Sequence, residues 1–374
     1  MAARDCRFGR IVAAVLLMMV IAGCTREPAP LRLGFVGGVF HGAVDLGLAG
    51  RNGALLAMEE VNAAGGVAGR RLELLVVDES AGLAPEEIVD TFHRAGVEYV
   101  IGPMTSRIAS ELAVAGAVHG IAFVSPTAAN SALSGLDDNF FRMVQGTEVY
   151  AESLAARLLE RGVRRAAVVY ETVNREFTES SRDAFETRFR SGGGTPLSAF
   201  PLRAGDDQVY SLAARAAIAL EPDAIVVVAG AVDVARFAQL LRAMDGDRIL
   251  LASAEWGGTE ALPELGGRAV EGLLVQQFYD RDSQAVAYSR FVANYWERFR
   301  QPPGFGSVMA YDALRAIVAA IDERRSGEDA QAALARLASF SGVQGEVRLD
   351  AYGEAERAAH LTRIEFGRYV GVRE

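Results

Sequence analysis

Lysine is missing from this chain. All 38 of its basic residues are arginine. That excludes a Schiff-base lysine, a pyridoxal-phosphate site, a P-loop lysine and a kinase-type catalytic lysine. Cysteine is nearly missing. Cys6 and Cys24 stand close to the start, so the body of the chain has no thiol for a disulfide, a metal site or catalysis. Histidine is scarce too. His41, His93, His119 and His360 lack metal-ligand spacing and read as surface or packed residues, although His41 falls in a loop just after a strand. Nothing matches GxSxG. "GFVGG" (residues 34–38) is not GxGxxG, which leaves no dinucleotide fingerprint. "SGGGT" (191–195) precedes a strand rather than a helix, so it reads as a turn and not a phosphate cradle. No cofactor and no catalytic constellation is expected.

Long apolar runs are lacking except at the start. Arg4, Arg7 and Arg10 precede an apolar stretch at 11–23, about a dozen residues, too short to span a bilayer as a helix. Residues 1–23 therefore read as a secretory signal peptide. "VIAGC" (20–24) resembles the lipobox of bacterial lipoproteins, which implies cleavage before Cys24 and lipidation of its sulfur. Residues 24–30, rich in proline and charge, read as a tether. Removing the first 23 residues, with three arginines and one aspartate, takes the net charge from −10 to −12. An acidic body argues against a nucleic-acid surface.

What is present is a regular alternation of short apolar strands and amphipathic helices. The composition, 51 % hydrophobic and 23 % charged, is that of a globular protein. "LRLGFVG" is a first strand. A helix over about 52–64 puts Ala54, Leu55, Met58 and Val61 on one face and Glu59, Glu60 and Asn62 on the other, and stops at Gly65-Gly66. "RLELLVV" (71–77), "YVIG" (99–102) and "IAFV" (121–124) are further strands, with helices over about 85–94 and 108–118. A helix over about 148–161 begins a second set: strands 166–170, 224–228 and 249–252, with a glycine turn into another strand after a helix ending near 190. Helices over about 284–300 and 305–324 and strands near 346–349 and 361–366 complete the pattern. Continuous apolar strands between helices mean parallel sheets covered on both faces. The expected fold class is α/β, with two doubly wound lobes.

Ligands bind beyond the carboxyl ends of parallel strands. In one half these ends carry hydroxyls and helix N-termini, "PMTSR" and "SPTAAN", which suit a carboxylate. In the other half "SAEWGG" offers Glu255 beside Trp256. Together they suit a small zwitterion held between lobes.

The segments "NGALLAMEEVNAAGGVAGRRLELLVVDE", "YVIGPMTSRIAS", "GIAFVSPTAANSAL", "EPDAIVVVAG", "ILLASAEWGG" and "AYDALRAI" resemble the periplasmic leucine/isoleucine/valine-binding proteins of the type I fold, from about residue 31 to 368. The resemblance implies a clamshell whose chain crosses between lobes three times, near 142–146, 274–278 and 343–348. It divides the chain into lobe 1, residues 31–143 plus 276–344, and lobe 2, residues 144–275 plus 345–374. It implies an amino acid, of branched-chain type, or a similar polar solute in the cleft, delivered by a lipid-anchored extracytoplasmic monomer to an ABC permease and ATPase.

Residue by residue, Ser106 matches the carboxylate-binding serine, with Thr105 beside it. Thr127 matches the residue whose carbonyl faces the ligand ammonium, and Glu255 the ammonium-binding acid. Ala128 and Ala129 belong to the same loop, but the family usually has threonine at Ala129. Phe177 followed by Thr178 replaces Tyr-Gly, Ala231 or Val232 stands for an aromatic, and Leu46 for a tryptophan. Trp256 completes the expected site. Two other readings stay open: a receptor module for an amide, urea-like or nucleobase-type ligand, and an extracytoplasmic enzyme.

Overall fold

The computed structural model describes residues 28–40 and 44–372. The expected signal peptide, Cys24, most of the tether and His41 lie outside them.

The first sheet grows from β1 (Leu31–Gly37), α1 (Val44–Ala63), β2 (Leu72–Asp78), α2 (Pro85–Arg94), β3 (Tyr99–Ile101), α3 (Ala109–Val118), β4 (Ala122–Ser125) and β5 (Phe140–Arg142). Its order is β2-β1-β3-β4-β5, and all pairings are parallel. Both faces are covered, as continuous apolar strands require. Val36, Val100 and Phe123 pack with Ile88, Phe92 and Leu112 on one side. Leu33, Phe35, Ile101 and Val124 pack with Ala54 and Ala57 on the other. Gly65 and Gly66, at φ +108° and +78°, end α1. A side chain at Gly66 would stand 2.0 Å from the Arg70 carbonyl oxygen. Asn62 then joins helix to strand by accepting from the Leu72 N–H (2.7 Å) and donating to its carbonyl (3.0 Å).

The second sheet follows, with α4 (Thr147–Glu160), β6 (Arg165–Glu171), α5 (Arg175–Ser191), β7 (Thr195–Leu202), α6 (Asp207–Ala219), β8 (Ala224–Val228), α7 (Ala231–Asp245), β9 (Leu250–Ser253), α8 (Ala261–Gly266) and β10 (Leu274–Gln277). The chain continues through α9 (Val286–Phe299), α10 (Phe305–Asp322), α11 (Ala330–Ala335), β11 (Ser339–Gly342), β12 (Gly345–Arg348), β13 (His360–Glu365) and β14 (Arg368–Gly371). The order β14-β13-β10-β9-β8-β6-β7 is parallel from β7 to β10, with β13 and β14 antiparallel at one edge. The fold is α/β, two doubly wound lobes joined by three crossings.

Helices α9 and α10 return to the first sheet. Arg298 pairs with Glu59 (2.9 Å), and Asn294 and the Tyr311 hydroxyl donate to Glu60 (2.8 and 2.5 Å). Helix α10 approaches α1 closely, since a Cβ at Gly53 would stand 2.1 Å from the Ser307 carbonyl oxygen.

Two details differ from the sequence reading. Residues 274–277 are not a crossing but strand β10, paired with β9 and β13. Residues 345–348 pair with β11 as a separate hairpin, and Arg142 bridges Glu354. The chain therefore joins the second sheet again only at His360. The first difference involves a partner far away in sequence, β13, whereas the β11–β12 hairpin is a local pairing.

Candidate functional site

The neutral loop after β4 is buried, which explains its lack of charge. Its hydroxyls are spent on the neighbouring loop after β3. The Ser125 hydroxyl donates to the Pro103 carbonyl (2.7 Å) and accepts from the Ala128 N–H (3.0 Å). The Thr127 hydroxyl donates to the Met104 carbonyl (2.5 Å), and Ser106 Oγ accepts from the Ala129 N–H (3.1 Å). Burying these backbone groups unpaired would cost about 1–3 kcal/mol each.

Facing this loop is the second lobe. Phe177, in the first turn of α5, meets Trp256 edge to face, with centroids 5.8 Å apart. Glu255 is buried. Its Oε1 accepts from the Thr147 hydroxyl at 2.7 Å, and its Oε2 has no hydrogen-bond partner. Burial lifts the Glu255 carboxyl to about 7. Asn174 is buried with its Oδ1 unpartnered.

Between these surfaces lies a cavity of about 10 Å³, room for a single water. Thr105, Asn174 and Trp256 also line a second cavity of about 390 Å³. A further cavity, of about 910 Å³, shares only Leu46 and Phe305 with the central one. No group of acids, histidines and cysteines among the described residues is arranged to hold a metal.

The sequence matches the family model described as "Periplasmic binding protein" over residues 31–368. The chain belongs to that family. It is a family of binding proteins, not of enzymes, and membership carries an extracytoplasmic location. This periplasmic binding protein is 25 % identical to the Leu/Ile/Val-binding protein BraC3 of Rhizobium johnstonii over 329 residues, 85 % of each chain. The fold matches a leucine-binding protein LivK from Thermotoga maritima, with a TM-score of 0.83 at 21 % identity over 92 % of this chain and 98 % of that one. It also matches a solute-binding protein from R. palustris in complex with benzoate, with a TM-score of 0.81 at 20 % identity over 92 % and 95 %. No helix among the described residues of the periplasmic binding protein is long and apolar enough to cross a membrane.

Leu46, Thr105, Ser106, Thr127, Phe177 and Trp256, all expected from the sequence, line the central cavity. Ala128 and Ala129 do not line it; they are buried in the loop behind. Ala231 and Val232 line the 390 Å³ cavity instead. Glu255 lines neither, and stands directly before Trp256. Met104, Asn174, Phe278 and Phe305 complete the central lining and escaped the sequence reading. Met104 and Asn174 lie in loops at strand ends, a signal that was available. Phe278 and Phe305 follow β10 and open α10, and nothing local marks them.

Proposed function

We propose that this periplasmic binding protein is the solute-binding subunit of an ABC importer that closes on an α-amino acid. The observation that carries this reading is the buried, unpartnered Oε2 of Glu255. An isolated buried carboxylate is costly, and a ligand ammonium would complete it. Ser106, on the opposite wall, accepts from the Ala129 N–H through Oγ and keeps its own hydroxyl proton for the carboxylate end. A cavity of about 10 Å³ is too small for an amino acid, so loading requires the lobes to part and close again.

In this proposal the lobes divide after Arg142, after Gln277 and between Ala355 and His360. Cys24 carries the lipid, and a permease and an ATPase receive the solute. An unmodified Cys24 thiol found by mass spectrometry in membrane-isolated protein would exclude the anchor.

Calorimetry on Glu255→Gln tests the ligand reading. A charge-assisted hydrogen bond is worth about 1.5–3 kcal/mol. The substitution keeps the shape, so an amino acid should bind about tenfold to a hundredfold more weakly. Unchanged affinity would remove the ammonium contact.

A further inference from the structure

The 390 Å³ cavity is lined by four carboxyl residues, Asp45, Glu79, Glu171 and Asp233, and by one cation, Arg107. Three of the four acids have evident structural partners. Asp45 accepts from the Thr259 hydroxyl at 2.5 Å, and Asp233 from the Tyr210 hydroxyl at 2.5 Å. Glu171 accepts from the backbone N–H groups of Val173 and Asn174. Glu79 is different. It is 6 % exposed, its Oε1 accepts from the Thr105 hydroxyl at 3.1 Å, and its Oε2 has no hydrogen-bond partner. Arg107 attracts Glu79 through its charge but, among the described residues, does not hydrogen-bond its carboxyl; it donates at 3.4 Å to the Glu79 backbone carbonyl, and its side chain is exposed.

The cavity continues the central one, because Thr105, Asn174 and Trp256 line both. Its size falls in the range of small-molecule sites, about 300–1,000 Å³. Glu79 comes from the first lobe and Glu171 and Asp233 from the second, so a bound group would be enclosed on closure. Trp256 adds an aromatic ring at the junction, and ring faces attract cations.

We propose that the ligand of this protein is an amino acid with a cationic side chain, whose ammonium or guanidinium lies in the acid-lined cavity against Glu79. This deepens the amino-acid reading of the central site and rests on it. A branched apolar side chain would instead bury Glu79 Oε2 without a partner and fill an acid-lined space with hydrocarbon.

Calorimetry with L-arginine, its uncharged near-isostere L-citrulline and L-leucine tests the inference. Wild type should bind arginine about tenfold or more tightly than citrulline or leucine, the worth of one charge-assisted bond. Glu79→Gln should bring arginine and citrulline to within about threefold of each other. If citrulline or leucine binds wild type as tightly as arginine, or the arginine preference survives in Glu79→Gln, the inference is overturned and the amino-acid reading stands. If none of the three binds, both fall. Should Glu79→Gln not fold, the arginine-to-citrulline ratio of wild type decides alone.

Discussion

Asp45 and Thr259 join the two lobes directly: the Thr259 hydroxyl donates to Asp45 Oδ2 at 2.5 Å. Asp45 lies in the first turn of α1 beside the first sheet, and Thr259 in the loop between β9 and α8 of the second. In the proposed opening that admits the ligand, this bond breaks. Thr259→Val should therefore destabilise the closed form by about 1 kcal/mol and weaken ligand binding roughly fivefold. Calorimetry reads the affinity, and small-angle scattering reads a larger mean radius in the variant. Equal affinity and equal radius would mean that the bond does not bias closure.

Glu79 and Glu255 set a pH dependence of stability in the empty protein. Burial lifts both carboxyls from an ordinary 4.5 to about 7. Between these values the folded state holds protons that the unfolded state has released, so stability falls as pH rises through this window. Each group contributes on the order of 3 kcal/mol at most, at 1.36 kcal/mol per unit. Glu79→Gln and Glu255→Gln should each raise Tm relative to wild type at pH 8, and by much less at pH 5. A Tm difference that is the same at both pH values would contradict this account.

Trp256 reports closure. It lines both the central and the acid-lined cavity, whereas Trp296, the other tryptophan, is about half exposed on α9. Ligand should change the intrinsic fluorescence of wild type and leave Trp256→Phe nearly silent. An equal change in both proteins would put the reporting tryptophan at position 296.

Ala129→Thr would add the hydroxyl that the family resemblance leads one to expect, yet the position has no spare room. Ala129 is fully buried, its N–H bonds to Ser106 Oγ and its carbonyl accepts from the Thr147 N–H (2.7 Å). The cavity nearby holds only about 10 Å³. Overpacking of this kind costs about 1–3 kcal/mol. Thermal unfolding should show a lower Tm in the empty variant, with Ala129→Gly as the size control. A Tm at or above wild type would mean that the loop yields to the added methyl and hydroxyl.

Much of the fold was legible because the relevant signals are local. An unbroken run such as Ala224–Val228 has no polar face, so it must lie in a covered sheet. The Gly65-Gly66 pair ends a helix wherever that helix lies. Ser106 and Thr127 could be paired in advance because they follow β3 and β4, and parallel neighbours bring their carboxyl ends together. The neutral loop was expected to present its hydroxyls to a ligand, and Thr127 does line the central cavity. The hydroxyls themselves serve backbone groups of the adjacent loop, a fact that depends on how two loops pack.

The sequence by itself determined the alternation of strands and helices, the lobes it builds, and the strand ends where a site must form. Each follows from neighbours within one or two turns of chain. Tertiary structure alone decided that residues 274–277 are a strand, because β13, its antiparallel partner, begins only at His360. It alone paired Arg142 with Glu354 and brought Phe278 and Phe305 to the cavity. Above all it left one carboxylate oxygen of Glu79 and one of Glu255 buried without partners. Whether a buried polar atom is satisfied depends on every group that folding places around it, and those groups come from residues tens or hundreds of positions away.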